Sequence, residues 1–206
     1  MLTWTKFNKT ISGQLIHALP VAASCYLGPN ANEAACKLAN AGFANATYES
    51  AQPLGFAYPL NSTCPSIPFG NATSKECTQG SWPVFAVNVT SEDTISKTVK
   101  FAAKNNLRLS VKSTGHDFLQ RSTGDGSLSV WMRNWRKGFE FYDHNVVAKT
   151  CPASSWTGST LRITGSYAWS DIYPIANKKG VIVAGGNSVV SHDAHDFLLS
   201  SSLLDA

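Results

Sequence analysis

Val111-Lys112-Ser113-Thr114-Gly115-His116-Asp117, continued by Arg121-Ser122-Thr123-Gly124, decides how this chain is read. On one side lies a short apolar alternation, Leu107-Arg108-Leu109-Ser110-Val111, and on the other Leu128-Ser129-Val130-Trp131-Met132. Both read as strands. A small-residue loop carrying one histidine therefore joins two strands. Such a loop can aim several backbone N–H groups at one anion, because glycine permits close approach and unusual dihedrals. A histidine at its rim is nucleophilic enough to bond covalently to an electrophilic cofactor.

Working outward, the run from Pro83 to Val89 alternates like a strand. Thr90 or Ser91 then caps a helix, with Glu92 and Asp93 in the first turn, where the helix dipole favours acids. Ile95, Val99, Ala102 and Ala103 mark its expected buried face, and Asn105-Asn106 its end. Strand, helix and strand make a βαβ unit with the loop at the carboxyl end of its second strand. Open α/β sheets bind ligands at such ends. Downstream, strands are predicted near 127–133 and 138–142, with Lys137-Gly138 as the turn between them. A strand at Leu161–Thr164 follows, then a helix from Ala168 to Lys178 that buries Trp169, Ile172, Tyr173 and Ala176 and stops at Gly180. Val181 to Gly186 is the last apolar strand.

Upstream of Trp82 the periodicity is weaker. Phe7 to Ile16 is expected to be extended, Asn32 to cap a helix closed by Gly42, and 50–81 to be irregular. Cys25 and Cys36 bracket turn-rich sequence, as do Cys64 and Cys77, which implies two local disulfides formed in an oxidising compartment. Cys151 is left as either a buried free thiol or half of a pair whose partner lies outside this chain. The five Asn-x-Ser/Thr sequons, at Asn8, Asn45, Asn61, Asn71 and Asn88, all precede the βαβ helix, as an exposed glycosylated leader requires. No signal peptide opens the sequence, so secretion implies a true start upstream of Met1 or an internal Met1, the first being favoured.

The composition, 43% hydrophobic and 15% charged over 206 residues, is globular. A net charge of +4 with scattered basic residues leaves no nucleic-acid footprint, and the Arg133…Arg136-Lys137 cluster reads as a solvated strand end. No apolar run reaches the roughly 18 residues of a membrane helix. Phosphate-loop, dinucleotide-fold and Gly-x-Ser-x-Gly signatures are absent. His192-Asp193-Ala194-His195-Asp196 has metal-ligand residue types, but nothing fixes them in one shell, so it reads as a frayed tail and no metal is expected.

The run 107–117 with Arg121-Ser122-Thr123-Gly124 resembles the pyrophosphate loop of FAD-linked oxidases of the vanillyl-alcohol-oxidase or p-cresol-methylhydroxylase type. The nearest subgroup is the fungal berberine-bridge-enzyme-like proteins. Trp4-x-x-Phe7-Asn8, Cys25-Tyr26, Cys36, Asn61-x-x-Cys64, Cys77, Trp156-Thr157-Gly158 and Val183-Ala184-Gly185-Gly186 add to the resemblance, which runs from about residue 4 to 186. It implies an α+β fold, the p-cresol-methylhydroxylase-type FAD-binding domain of two small α/β subdomains, preceded by a disulfide-containing irregular leader. It implies FAD held by the loop amides of Ser113, Thr114, Gly115, His116 and Asp117, with Ser122 against the cofactor. The family histidine that bonds the flavin falls on His116. The implied chemistry is hydride transfer from a small organic substrate to the flavin, with O2 as the final acceptor.

There are departures from the family pattern. Many relatives have Gly-Gly-His where Thr114-Gly115-His116 stands, and Gln120 occupies a place often held by glycine, which tightens the turn. No glycine follows Gly186, whereas the family places a second glycine-rich strap there. The expected organisation is a glycosylated, disulfide-stapled leader at 1–79, an incomplete FAD-binding domain at 80–190 and a divergent tail at 191–206. A truncated oxidase is therefore expected, its tail arising from a shifted frame or retained intron, its catalytic residues unassigned. The alternative is a non-catalytic secreted glycoprotein that holds no flavin.

Overall fold

The computed structural model describes residues 2–43, 45–56, 63–143, 156, 158–183, 185 and 197–200. Cys151, Asn61, Gly186 and the 192–196 motif lie outside the described residues. Two compact units are present, Met1–Trp135 and Arg136–Ala206.

The first unit begins with α1 (Leu2–Thr10) and β1 (Leu15–His17), where an extended segment was expected from 7 to 16. The helix is fixed by tertiary packing, not by a sequence cap. Trp4 stacks on Phe85 at 4.4 Å between ring centres, and Phe7 on Phe101 at 3.9 Å. Asn8 accepts a hydrogen bond from the Leu15 N–H (3.0 Å) and so holds the turn between α1 and β1. A 3-10 turn at Val21–Cys25 precedes α2 (Glu33–Gly42), which Asn32 caps as expected by accepting from Ala35 N–H. The short α3 (Ala46–Ser50) is capped by Asn45. Both expected disulfides, Cys25–Cys36 and Cys64–Cys77, are formed.

Next come β2 (Phe85–Asn88), α4 (Glu92–Lys104), β3 (Leu109–Lys112) and β4 (Leu128–Trp131). Ser91 caps α4, accepting from Thr94 N–H. The buried stripe of α4 is Thr94, Thr98 and Ala102, while Val99 is 46% exposed, so the face is rotated from the expected one. Threonine can lie inward there because the Thr98 hydroxyl donates to the Thr94 carbonyl (2.7 Å) and leaves no polar group unpaired.

The sheet order is β1-β2-β4-β3, with β2, β4 and β3 parallel and β1 antiparallel at the edge. Thus β4 lies between the two strands of the βαβ unit, and 113–127 must carry the chain back along the length of the sheet before β4 begins. A parallel connection needs about a dozen residues or more, which this loop supplies without a helix. One sheet face packs Val87, Leu128 and Val130 on Phe7 and Ile11. The other packs Ala86 and Trp131 on Ala18 and Leu54, so the N-terminal segment forms a layer of the unit.

The second unit contains β5 (Arg136–Tyr142), β6 (Thr160–Gly165), α5 (Trp169–Lys178), β7 (Ile182–Val183) and β8 (Phe197–Ser200), in sheet order β5-β6-β8-β7. Lys137-Gly138, expected as a turn, lies inside β5. The pairing with β6 shifts between Arg136 and Gly138, and Gly138 has φ +108°, so this glycine marks a bulge. Leu161, Ile163, Trp169, Ile172, Ala176 and Val183 form the core. Tyr173, expected inward, is 38% exposed and stacks on Trp169 at 5.3 Å.

Candidate functional site

The alternation in β3 sorts its side chains onto the two sheet faces. Leu109 belongs to the face covered by α1 and α4, and Val111, in the same parity, is 59% exposed. Ser110 and Lys112 point to the other face and are 6% and 1% exposed. The apolar alternation marked a strand correctly, yet at the loop end it is the polar parity that is buried.

Lys112 pairs in register with Trp131 of β4. Its Nζ donates to the Gln52 carbonyl (2.8 Å) and lies 5.7 and 5.8 Å from the ring centres of Phe56 and Trp131. Burial pushes its ammonium down to about 7, opposed by the attraction of Glu49. Glu49, on α3, is 4% exposed; burial pushes its carboxyl up to about 7, opposed first by Lys112 and then by the Phe56 backbone N–H. None of Glu49, Gln52, Phe56 and Lys112 was assigned to the site from sequence. A glutamate on a short helix and a lysine at an even strand position both read as solvent-facing, and only the overlying 49–56 segment reverses that.

The loop rests on this floor. Thr114 is buried, and Gly115 has φ +77°. A Cβ at Gly115 would lie 3.0 Å from Lys112 Cε, 3.0 Å from the Phe56 ring and 3.2 Å from the Gly55 carbonyl oxygen. Glycine is thus required twice over, by dihedral and by space. His116 and Asp117 are half-buried, and the His116 ring meets Phe118 edge-on at 5.4 Å between centres.

Asp117 closes the outer turn. Its carboxylate accepts from the Leu119 and Arg121 N–H groups and from the Arg121 guanidinium, the last at 2.9–3.2 Å. The Arg121 hydrogen bonds hold the carboxyl down at about 2. Gln120 adopts φ +56°, the left-handed region that favours glycine. A cleft beside the turn is lined by Phe56, Trp82, Gly115, Asp117, Phe118, Gln120 and Thr123. Of the six sequence-assigned residues, Gly115 and Asp117 line this cleft; Ser113, His116 and Ser122 are half-buried on the same loop, and Thr114 is turned inward. Trp131 packs on Lys112 below the loop and is not among the cleft residues.

This donor set fits a diphosphate. Among the described residues, the N–H groups of Thr114, Gly115 and Asp117 donate to no backbone carbonyl. The Asp117 carboxylate is paired with Arg121, which reduces the repulsion an anion would otherwise meet there. Among the described residues no group of His, Cys, Asp and Glu is arranged to hold a metal ion, and no helix is long and apolar enough to cross a membrane.

Comparison with known proteins agrees with this chemistry. Residues 83–193 match the family model described as FAD binding domain. The FAD-linked oxidoreductase apf9 of Gibberella fujikuroi is 53% identical over 183 residues, 89% of this chain and 31% of that protein. The VAO-type flavoprotein oxidase VAO615 of Thermothelomyces thermophilus is 32% identical over 186 residues, again 89% of this chain and 31% of the relative. The crystal structure of the VAO-type flavoprotein MtVAO713 from Myceliophthora thermophila superposes with a TM-score of 0.83 at 38% identity, covering 92% of this chain and 33% of that one. The chain thus spans about a third of the length of the relatives it matches. Its mixed α/β fold is that of the p-cresol-methylhydroxylase-type FAD-binding part of VAO-type flavoproteins. The chain belongs to the FAD-binding-domain family, and its cofactor is FAD.

Proposed function

We propose that this chain is the N-terminal part of a secreted, berberine-bridge-enzyme-like oxidase, in which the 113–117 loop holds the FAD pyrophosphate and His116 attaches the flavin covalently. The observation that carries the reading is the loop itself. Among the described residues, the N–H groups of Thr114, Gly115 and Asp117 have no backbone acceptor, the Asp117 carboxylate is paired with Arg121, and Gly115 cannot be replaced without strain. Ser113 to Asp117 bind the anion through backbone N–H groups, and Ser122 approaches the cofactor from the second half of the loop. Held there, FAD would supply the redox chemistry, the uptake of hydride from a small organic substrate with O2 as final acceptor. The protein's part here is to fix the loop backbone, present the His116 ring beside Phe118 and screen the anion through Arg121.

Secretion is supported by the two disulfides, which persist in oxidising compartments. The sequons differ in availability. Asn8 and Asn88 lie in regular elements with their side-chain oxygens hydrogen-bonded, and Asn45 caps α3, whereas Asn71 is exposed in a turn. Asn71 is therefore the sequon best placed to carry a glycan.

The test is acid precipitation of the chain produced through a secretory route with FAD. The expected result is yellow colour retained in the precipitate and lost in His116→Ala. Colour that washes out of the wild-type precipitate overturns the covalent link. A folded chain that never takes up FAD overturns the cofactor-loop assignment and leaves the non-catalytic glycoprotein.

A further inference from the structure

Beneath the cofactor loop lie two buried ionisable groups that the chemistry above does not use. Lys112 ends β3, immediately before Ser113, and its stem is the surface against which Gly115 rests. Its Nζ reaches across to the Gln52 carbonyl, and its charge lies between the Phe56 and Trp131 rings. Glu49 stands three residues before Gln52 and is almost fully buried, with its Oε1 lacking a hydrogen-bond partner among the described residues. The Lys112–Gln52 hydrogen bond joins two segments 60 residues apart in sequence, and one of those segments continues directly into the loop. Glu49 favours the charged form of Lys112 against the cost of burial.

We propose that Lys112 is a positioning residue: its buried hydrogen bond to the Gln52 carbonyl is a clasp that ties the 49–56 segment to the end of β3 and so sets the height of the Gly115–His116 backbone for the flavin. The proposal rests on the assignment of 113–117 as the cofactor loop. The groups facing Lys112 are Glu49 from α3, the Gln52 carbonyl and Phe56 ring from the segment after α3, and the Trp131 ring from β4. Beside Glu49 stands Tyr48, whose phenol is pushed up first by burial and then by that carboxylate.

The pH response follows from which group carries the proton. With Lys112 charged, its hydrogen bond to Gln52 is charge-assisted. As pH rises through about 7 the ammonium is lost, and the neutral amine still donates to Gln52 without the cost of burying a charge, so the closed arrangement gains over one that exposes Lys112. The stability signs are opposite for the two partners. Raising the Glu49 pKa lets the folded state hold more protons than the unfolded one, so stability falls as pH rises from the ordinary carboxyl range to about 7. Depressing the Lys112 pKa lets the unfolded state hold more protons, so stability recovers from about 7 towards the ordinary lysine range. The pair thus contributes a stability minimum near neutrality.

The experiment is hydrogen exchange on the full 206-residue chain without FAD, following 113–117 relative to α4 across this range, corrected for the intrinsic rate. In the wild type, corrected loop exchange is expected to slow by up to about tenfold per pH unit as pH rises above about 7, because an opening that exposes Lys112 must then take up a proton. Lys112→Met is expected to lose this pH dependence. Glu49→Gln is expected to move the transition to lower pH, because the carboxylate no longer holds the proton on Lys112. Loop exchange in either folded variant that follows the wild-type profile overturns the clasp, as does a pH response equal throughout the chain. If Lys112→Met does not fold, the direction of the Glu49→Gln shift decides the matter. A parallel FAD titration separates the two proposals: a wild type with the expected exchange profile but no FAD uptake keeps the clasp and removes the cofactor assignment.

Discussion

The two halves of the 113–124 loop are held in different ways. Ser113 to Asp117 sits on a floor of buried side chains, Lys112, Phe56 and the Gly55 carbonyl, with contacts at 3.0–3.2 Å from where a Gly115 Cβ would be. Phe118 to Gly124 stands clear, with Phe118 56% and Leu119 75% exposed, and is shaped by the Asp117–Arg121 ion pair and a left-handed Gln120. The first half is fixed by close packing, which does not yield to small changes of volume. The second is fixed by surface electrostatics and backbone preference, each of which is weak. Geometry that must be reproduced to a fraction of an ångström belongs on the first half, and tolerance to change on the second.

The largest effect that breaks this contrast is expected from Gly115→Ala. The new methyl meets three close neighbours and forces a left-handed alanine, at a combined cost of about 2 kcal/mol. A lowered denaturant midpoint and lost FAD uptake in titration would confirm it; an unchanged midpoint would show that the floor gives way. Asp117→Asn is expected to act on the outer half alone. The depressed carboxyl pKa contributes stability that is present above the ordinary Asp range and lost as pH falls towards about 2. The variant should therefore match the wild type in strong acid and fall behind it from mildly acid to neutral pH, with the deficit shrinking in high salt, as thermal melts across pH can show. The smallest effect is a gain. Gln120→Gly removes a left-handed side chain and is expected to stabilise by no more than about 0.5–1 kcal/mol, because the freer unfolded glycine offsets part of the relief. A melt that falls instead would mean that the Gln120 side chain holds the turn.

The same contrast explains what could be read from sequence. The strand–helix–strand unit, the Asn32 and Ser91 caps, both disulfides and the small-residue loop were legible because each depends on local chemistry or spacing. α1 was not, because nothing local starts it; Trp4 and Phe7 become helical by packing on Phe85 and Phe101. The insertion of β4 between β2 and β3 is likewise a property of the sheet as a whole. Gly138 was legible as a backbone irregularity but not as a bulge, since turns and bulges use the same residue. In the candidate site, the loop could be found and its floor could not. Lys112 and Glu49 have the residue types of a solvated surface, and only the layer formed by the N-terminal segment buries them.

The strand order has a kinetic consequence. β2 and β3 share no ladder; each bonds only to β4 on the side facing the other. As the ribosome releases this chain, Phe85 to Lys112 can form its helix but cannot complete the parallel sheet until Leu128 to Trp131 has emerged. Closing such non-local pairings is the slow part of folding. The stretch that closes last is the one that shapes the 113–127 crossover, so this loop acquires its form in the same step that completes the sheet. Nascent chains that stall before residue 128 lack the strand that fixes the far end of the loop.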